Sequence, residues 1–305
     1  GRYAEGAGWR IGWRAYRARR YEETIAFFET TARQFPRSDY RPSFLYWSGR
    51  AHEAQGRLDT ALARYTLTTA DYLNTYYGRL AADRLAARRR SVAPPTLQSA
   101  ATGPDTARPG APLSADTIRL LLALDLHDEA LQEVRYLQRT GEDSPVLQAT
   151  AAWIANRQGD LLTSVAAIKR AYPQYMASGG EALPVELHRL IFPVAFWDEI
   201  GAQATRWKLD PYLLAALIAQ ESGFDPQIES SARAVGLMQL LPSTARQYAR
   251  RLRLGTYRRS MLTTPNTNLA MGSALLADLI ERFGDLHLAL AAYNAGTARV
   301  ARWVE

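Results

Sequence analysis

The stretch RYEETI at residues 20–25 returns in altered form as RLDTAL at 57–62, which is 37 residues further along the chain. Related stretches follow as LHDEAL at 126–131 and DLLTSV at 160–165, which lie 34 residues apart. Each stretch opens a segment in which apolar residues recur every three or four positions, a spacing that is typical of an amphipathic helix. Recurrence at 34 and 37 residues indicates a chain built partly from repeated units.

This period matches that of tetratricopeptide-like helical hairpins, each of which leaves an apolar face for its neighbour to cover. The alternative is a set of unrelated amphipathic helices. No sustained strand alternation occurs, so the predicted fold class is mainly all-α. Proline and glycine among alanine, threonine and serine predict a flexible linker at 91–115. It would separate a helical repeat region at 1–90 from a helical superhelix region at 116–200 and a domain at 201–305.

Composition excludes several classes of site. The chain has 305 residues, a formal net charge of +7 and no cysteine, which excludes disulfides, thiolate metal ligands and a cysteine nucleophile. Lys and Arg exceed Asp and Glu by 17 to 9 in residues 1–95 and by 12 to 8 in residues 201–305, whereas acids lead by 13 to 8 between them. Two basic regions favour a polyanionic partner such as nucleic acid, an anionic membrane surface or an acidic cell-wall polymer. The four histidines lack ligand spacing, so no metal is predicted.

A helix with clear start and stop signals is predicted at 210–223. Asp210 suits the N-cap, Pro211 the first turn and Gly223 the C-terminal cap. Helical spacing places Glu221 on the same face as an apolar stripe that includes Leu214 and Ile218. Burial and the negative end of the helix dipole should both raise the pKa of this carboxyl, and a protonated carboxyl is what a general acid needs. Position alone favours a solvated or Arg-paired acid instead.

Three ordered motifs change that interpretation: ESGFDP at 221–226, GLMQLLPSTA at 236–245 and AAYNAG at 291–296. In order and spacing they resemble the soluble lytic transglycosylases, whose catalytic domain is similar to goose-type lysozyme. The likeness is strong over 201–305. Upstream, YWSGR at 46–50 and FPVAFW at 192–197 resemble more weakly the family's helical superhelix and the linker to its catalytic domain. The resemblance therefore implies a superhelix followed by a lysozyme-like catalytic domain.

The implied activity is cleavage of the β-1,4 bond between N-acetylmuramic acid and N-acetylglucosamine in peptidoglycan, with release of 1,6-anhydromuramoyl products. Glu221 would be the acid/base, and Tyr293 would hydrogen-bond to its carboxyl. By the same resemblance, the substrate-binding residues would be Ser222, Gly236, Met238, Gln239, Asn294, Ala295 and Gly296. Taken without the resemblance, Tyr293 is a core aromatic at a helix end and Met238 a core gap-filler.

The residues near Glu221 agree with a mechanism that uses a single carboxyl. Glycosidases that use two carboxyls hold them at defined separations around the scissile bond. The candidates for a second acid are Asp225, which we interpret as a turn residue, and Glu229, which we interpret as a solvated loop acid. The nucleophile must then come from the substrate, and in the family it is the 2-acetamido oxygen and then the C6 hydroxyl. No cofactor is required.

Two features depart from the family pattern. Arg233 stands where the family often has glycine, so the loop before the glycan groove is expected to differ locally. The chain ends at Glu305, whereas the family usually continues with further helices. A cluster of arginines between 246 and 259 is either solvated surface or a site for muramoyl lactyl and stem-peptide carboxylates.

Two alternative functions stay open at this point: a hydrolytic glycosidase of lysozyme or chitinase type, and a non-catalytic scaffold that grips peptidoglycan. Nucleic acid is disfavoured because aromatic residues do not interleave with the arginines. The expected partners are peptidoglycan glycan strands and, through the repeats, cell-wall proteins. No transmembrane segment is predicted, because no apolar run reaches about 18 residues. The chain opens on Gly1 without methionine, which indicates a processed or truncated chain, so any export signal would lie upstream of it. The implied action on peptidoglycan predicts a location in the periplasm or cell envelope.

Overall fold

A computed structural model describes residues 2–89, 113–141 and 144–305. The predicted linker at 91–115 therefore lies almost entirely outside the described residues. The chain divides into two compact units, Gly1–Pro145 with Lys169–Val185, and Val146–Ile168 with Glu186–Glu305. The described residues are helical apart from turns and two isolated bridges, so the prediction of a mainly all-α fold is confirmed. None of their helices combines the length and apolar character needed to cross a membrane.

The described residues of the first unit form seven α-helices, and consecutive helices among the first five pack against each other. They are α1 (Arg2–Arg17), α2 (Tyr21–Gln34), α3 (Arg41–Ala54), α4 (Leu58–Tyr72), α5 (Tyr76–Arg89), α6 (Leu113–Ala123) and α7 (His127–Arg139). Two more helices, α8 (Pro145–Arg157) and α9 (Leu161–Ala171), lie mostly in the second unit.

The four recurring stretches all form the same backbone turn. The residue just before each stretch is in the left-handed region: Arg19 at φ 58°, Gly56 at 75°, Asp125 at 56° and Gly159 at 83°. In every case the next residue donates its amide to the carbonyl five positions back, as Arg20 does to Ala15 at 2.9 Å. This reversal closes one helix and starts the next. Three of these turns join helices that pack against each other, α1 with α2, α3 with α4 and α6 with α7, so these repeats are helical hairpins.

Packing explains the residue pattern of these stretches. The fifth residue of each stretch is small and buried, and four positions later comes a larger buried side chain. Small residues let the second helix of a hairpin approach its neighbour closely, and the larger ones fill the space one turn further along the same face. The small residues are Thr24, Ala61, Ala130 and Ser164, and the larger ones are Phe28, Tyr65, Val134 and Ile168. The four stretches thus differ in residue type, but the residues at these two positions agree in relative size and in burial.

The second unit is built around the long helix α14. Its helices are α10 (Val185–Ile191), α11 (Trp197–Trp207), α12 (Pro211–Glu221), α13 (Pro242–Arg251), α14 (Pro265–Phe283), α15 (Leu286–Ala295) and α16 (Thr297–Val304). Buried side chains of α12 and α14 meet those of the loop 228–240 in one core. Leu214, Ile218 and Met271 lose all solvent contact there. This core fixes α12, and with it the end of the helix that carries Glu221.

Candidate active site

Helix α12 begins and ends almost as its sequence predicts. The Asp210 carboxylate accepts a hydrogen bond from the Tyr212 amide at 2.7 Å, and Pro211 occupies the first turn. Glu221 is the last helical residue, Ser222 is the cap, and Gly223 follows at φ 58°. Glycine takes this left-handed conformation without steric cost, which lets the chain turn away directly after Glu221.

Glu221 is half-buried at the edge of the apolar core. Burial raises the pKa of its carboxyl. Within the described part of the chain, no side chain hydrogen-bonds or ion-pairs with it, so nothing stabilises its charged form. Complete burial of Leu214 and Ile218 on the same helix, worth about 1.5–3 kcal/mol each, offsets the cost of holding a carboxyl here.

The turn after Glu221 is fixed by Ser222 and Gly223. The Ser222 hydroxyl is buried, donates to the Ile218 carbonyl at 3.1 Å and accepts from the Phe224 amide at 3.2 Å. It is therefore occupied by main-chain partners, which differs from the sugar contact that the resemblance implies. A Cβ on Gly223 would stand 2.3 Å from a methyl carbon of Leu162, so this glycine also allows α9 to approach the end of α12.

The loop at 228–240 folds into a tight reversal. Val235 and Leu240 exchange both main-chain hydrogen bonds at 3.1 Å. Gly236 is buried at φ 81°, and a Cβ there would lie 2.0 Å from the Leu262 carbonyl oxygen, so only glycine fits. The Gln239 side chain donates to the Gly236 and Ile228 carbonyls at 3.0 and 3.2 Å. Gly236 and Gln239 thus shape the loop, and only Gln239 keeps part of its surface exposed.

Asn268 on α14 holds this loop and was missed by sequence reasoning. Its side chain is fully buried, accepts from the Met238 amide at 2.9 Å, and donates to the carbonyls of Val235 and Leu262 at 3.1 and 2.8 Å. All three bonds go to the main chain of other segments. The signal available in the sequence was a polar residue that interrupts the apolar face of a long helix.

Met238 and Tyr293 are joined by a hydrogen bond. The Tyr293 hydroxyl donates to the Met238 carbonyl at 2.7 Å. The structure shows no hydrogen bond between Tyr293 and the Glu221 carboxyl. The phenolic proton goes to the Met238 carbonyl, so Tyr293 can only accept from Glu221, and only when that carboxyl is protonated. Burial, followed by the nearby Glu221 charge, raises the pKa of Tyr293. Tyr293 is therefore electrostatically coupled to the carboxyl without being bonded to it.

The Met238 side chain packs inside the core. It has no exposed surface, and its sulfur would lie 2.3 Å from a Cβ on Gly272. It thus occupies the space left by that glycine, as the gap-filling interpretation of the sequence expected. This position differs from the groove-lining one that the resemblance implies.

The third motif ends α15. Asn294 and Gly296 are exposed, Ala295 is partly exposed, and Gly296 at φ 88° joins α15 to α16. These residues directly follow Tyr293, so the chain leaves the core there and presents three residues to solvent. Their exposure makes them available for a ligand.

The two acids that follow Glu221 in the sequence, Asp225 and Glu229, both have partners of their own. The Asp225 carboxylate accepts from the Gln227 amide at 2.8 Å, which is the turn predicted for it. Glu229 is exposed and forms an ion pair with Arg259 at 2.6 Å, so it is not a free loop acid. The site therefore combines one half-buried carboxyl, a coupled tyrosine and a loop held by a buried asparagine.

These features define a class: a helical-repeat protein whose second unit carries a single acid at the end of a core helix. Residues 198–305 match the family model "Transglycosylase SLT domain". The chain is 38% identical over 108 residues to a "Transglycosylase" of Enterobacteria phage PRD1, covering 35% of this chain and 37% of that protein. It is 34% identical over 116 residues to the "Soluble lytic murein transglycosylase" of Salmonella typhimurium, covering 37% of this chain and 18% of that protein.

A solved structure extends the likeness of fold beyond this domain. An inactive mutant of the lytic transglycosylase Slt from Pseudomonas aeruginosa aligns with 98% of this chain and 45% of its own, with a TM-score of 0.63 and 24% identity. The chain thus has the fold of a soluble lytic transglycosylase, with a helical superhelix and a lysozyme-like domain. It spans less than half the length of the relatives that it matches.

Proposed function

We propose that this protein is a peptidoglycan lytic transglycosylase. It would cleave the β-1,4 bond between N-acetylmuramic acid and N-acetylglucosamine and release 1,6-anhydromuramoyl products, acting as a glycan lyase. The observation that carries the proposal is the half-buried carboxyl of Glu221, whose pKa burial raises and which has no hydrogen-bond or ion-pair partner among the described residues. The two acids that follow it in the sequence, Asp225 and Glu229, have partners of their own. The family model that residues 198–305 match supports the same reaction.

Glu221 acts first as an acid. Its raised pKa favours the protonated form, which donates a proton to the glycosidic oxygen while the bond from that oxygen to C1 of the muramoyl sugar breaks. The N-acetylglucosamine leaves with a free hydroxyl. Tyr293 supports the protonated state, because its proton is committed to the Met238 carbonyl and its remaining lone pairs can accept from Glu221.

The muramoyl sugar then completes the reaction itself. The 2-acetamido oxygen attacks C1 as the leaving group departs, and the C6 hydroxyl displaces it while Glu221 takes the hydroxyl proton. The carboxyl returns to its protonated form and no water is consumed. Intramolecular attack of this kind has effective molarities of about 10⁵ M or more in well-aligned cases, which makes a second protein carboxylate unnecessary.

Other residues of the site serve the carboxyl or the glycan. Three residues hold the backbone on either side of the site and would not contact the glycan through their side chains. The Ser222 hydroxyl bonds to the main chain, Gly236 leaves no room for a side chain, and the Met238 side chain is buried in the core. Gln239, Asn294, Ala295 and Gly296 keep exposed surface and would contact the sugars. The Gln239 amide already donates to two carbonyls, which leaves its oxygen for a sugar hydroxyl.

The test compares Glu221→Gln with Glu229→Gln on purified sacculi. Glutamine cannot donate the proton, so we expect release of anhydromuropeptides to fall at least about 10²-fold, the scale of general acid catalysis. Glu229→Gln removes an exposed acid of the same size and should keep normal turnover. Circular dichroism would check that both variants fold.

Product masses separate the alternatives. Anhydro ends support the proposal, whereas reducing ends with an added water would indicate a hydrolase. Binding to sacculi without any soluble product from the wild type would indicate a non-catalytic scaffold. Substantial turnover by Glu221→Gln would reject the role of this residue.

This substrate implies export to the periplasm or cell envelope, where peptidoglycan lies. In that setting the helical repeats of residues 1–90 and 116–200 would offer surface to cell-wall proteins, while residues 201–305 act on glycan. Fractionation of cells that express the native gene, followed by immunodetection, tests the location. Recovery in the cytoplasm alone would contradict it.

A further inference from the structure

Helix α9 differs from the other repeat helices in its first turn. The third residue of the recurring stretch is acidic in α2, α4 and α7, where it is Glu22, Asp59 and Asp128. An acid there interacts favourably with the positive end of the helix dipole. In α9 the same position is Leu162, and the first turn contains no acid. The fourth stretch therefore lacks a stabilising charge that the other three carry.

Helix α9 has its negative charge at the N-cap instead. The Asp160 carboxylate accepts a hydrogen bond from the Thr163 amide at 3.0 Å, which caps the helix. The equivalent residues of the other three stretches are Arg20, Arg57 and Leu126, and none of them caps its helix through its side chain. The start of α9 is thus stabilised electrostatically although the third position of its stretch is apolar.

Leu162 contacts the turn that follows Glu221. A Cβ on Gly223 would overlap a methyl group of Leu162, which supplies all the described atoms within 4 Å of that point apart from the chain on either side of Gly223. The neighbouring Leu161 packs against the apolar core that holds α12. Both leucines and the turn lie in the second unit. The start of α9 therefore covers the end of α12 with apolar surface, although Leu162 itself stays 45% exposed.

The titratable groups around this contact leave burial as the cause of the raised pKa of Glu221. Tyr293 of α15 donates its proton to a main-chain carbonyl. Asp160 is bonded to its own helix, and Asp225 and Glu229 have partners of their own. Because no charge stabilises the ionised carboxyl, the exclusion of water determines how tightly Glu221 holds its proton.

We propose that Leu162 is a positioning residue for Glu221, which covers the turn after the acid and excludes water from that side of its carboxyl. The inference rests on the proposed function, because a protonated Glu221 is what that reaction needs first. An acid at this position, as in the other three stretches, would bring water and a second negative charge to the site. The fourth stretch is thus adapted to the active site while its helix stays capped.

The experiment compares Leu162→Ala with Leu58→Ala in the whole chain. Leu58 lies in the first turn of α4 in the first unit and is 43% exposed, so the control removes an equal side chain away from the acid. The pKa of Glu221 is measured by NMR titration of isotope-labelled glutamate, with its signal assigned from the loss in Glu221→Gln. The pH profile of kcat/KM on a soluble glycan fragment is recorded for the same proteins.

We expect Leu162→Ala to lower the pKa of Glu221 by about half a unit, because water reaches the carboxyl from the opened side. Above that pKa the protonated fraction falls about threefold, and kcat/KM should fall with it. Leu162→Asn keeps a branched side chain but attracts water, so it should lower the pKa as well. Leu162→Met refills the space with apolar volume and should restore both values. Leu58→Ala should change neither.

A double-mutant cycle tests the contact itself. Gly223→Ala places a methyl group against Leu162 and also strains the left-handed backbone. In the Leu162→Ala background only the strain remains, so the loss of Tm caused by Gly223→Ala should be smaller there. Equal losses in both backgrounds would show that the two residues do not touch, and would overturn the proposal.

The NMR titration separates this proposal from the proposed function. An unchanged pKa of Glu221 in Leu162→Ala and Leu162→Asn, or an equal shift in Leu58→Ala, would overturn the role of Leu162 and leave the proposed function intact. If Leu162→Ala lowers the pKa but the wild type cleaves no glycan, the proposed function fails while the role of Leu162 stands.

Discussion

The hydroxyl of Tyr293 at the end of α15 donates its proton to the main-chain carbonyl of Met238, 55 residues earlier in the chain, at 2.7 Å. This bond ties α15 to the loop that follows the Glu221 turn. The charge of Glu221 contributes to the raised pKa of the same hydroxyl. One side chain thus interacts both with the acid and with the loop that follows it. The bond therefore contributes both to stability and to the state of the carboxyl.

Tyr293→Phe should lower the free energy of unfolding by about 1–3 kcal/mol, because it leaves the Met238 carbonyl unpaired. It should also lower kcat more than it raises KM, since Glu221 loses its neighbouring acceptor. Urea denaturation and steady-state cleavage of glycan chains would measure the two effects. Tyr212→Phe, which alters a largely exposed tyrosine, serves as the control. Equal behaviour of the two variants would contradict a role for the Tyr293 hydroxyl.

The raised pKa of Glu221 predicts how activity depends on pH. The acid form must be present, so kcat/KM should fall as pH rises through the pKa of Glu221, and this decline should lie above the ordinary glutamate value of about 4.3. A pH profile on a soluble glycan fragment would measure it. A decline centred at or below the ordinary value would mean that the carboxyl is solvated during catalysis.

Stability should depend on the same proton. Because the folded protein binds this proton more tightly than the unfolded chain, its contribution to stability is fully present at low pH and is lost as pH rises through the folded pKa. Glu221→Gln carries no charge to desolvate. We therefore expect the Tm of Glu221→Gln, relative to that of the wild type, to increase as the pH rises from acid to neutral. A constant difference across that range would contradict the raised pKa.

Asn268 offers a test of how the loop at 228–240 is held in place. Asn268→Ala removes three hydrogen bonds to the main chain and should cost about 3 kcal/mol or more in unfolding free energy. The exposed Asn266→Ala, two residues away on the same helix, should be nearly neutral. Denaturant midpoints at equal m-values would compare them. A small loss at Asn268 would show that the loop holds its conformation without this side chain.

Asn268→Asp sharpens the same test. An ionised aspartate would face the carbonyl oxygens of Val235 and Leu262, so its pKa should rise. The variant should therefore be more stable at acid than at neutral pH. A pH-independent stability difference from the wild type would argue against contact with those two carbonyls.

Arg233 occupies the left-handed region at φ 65°, where a side chain costs about 1–2 kcal/mol. Arg233→Gly relieves this strain but gives the unfolded chain more freedom, so we expect a net gain of up to about 1 kcal/mol. Arg233→Ala keeps the strained backbone and should gain nothing. If alanine stabilises as much as glycine, the charge of Arg233 and not its backbone conformation is responsible.

The sequence predicted helices, hairpin repeats and the capping of α12 because these depend on neighbours within a few turns. The four repeat stretches carry a small residue and then a larger one at fixed spacing, and that pattern is set by local periodicity. Arg233 was also noticed from the sequence, as a departure from glycine. Its positive φ is the physical reason why glycine suits the position.

The single acid Glu221 was likewise evident from the sequence, since an apolar stripe and helix-end signals converge on it. Only the tertiary structure decided which partners the other polar groups of the site bond to. Asn268, Tyr293 and Met238 come from separate segments, and the direction of each bond depends on which segments the core brings within about 3 Å of one another. A hydroxyl has one proton to donate, and the packed core, not the order of the residues, determined which acceptor received it.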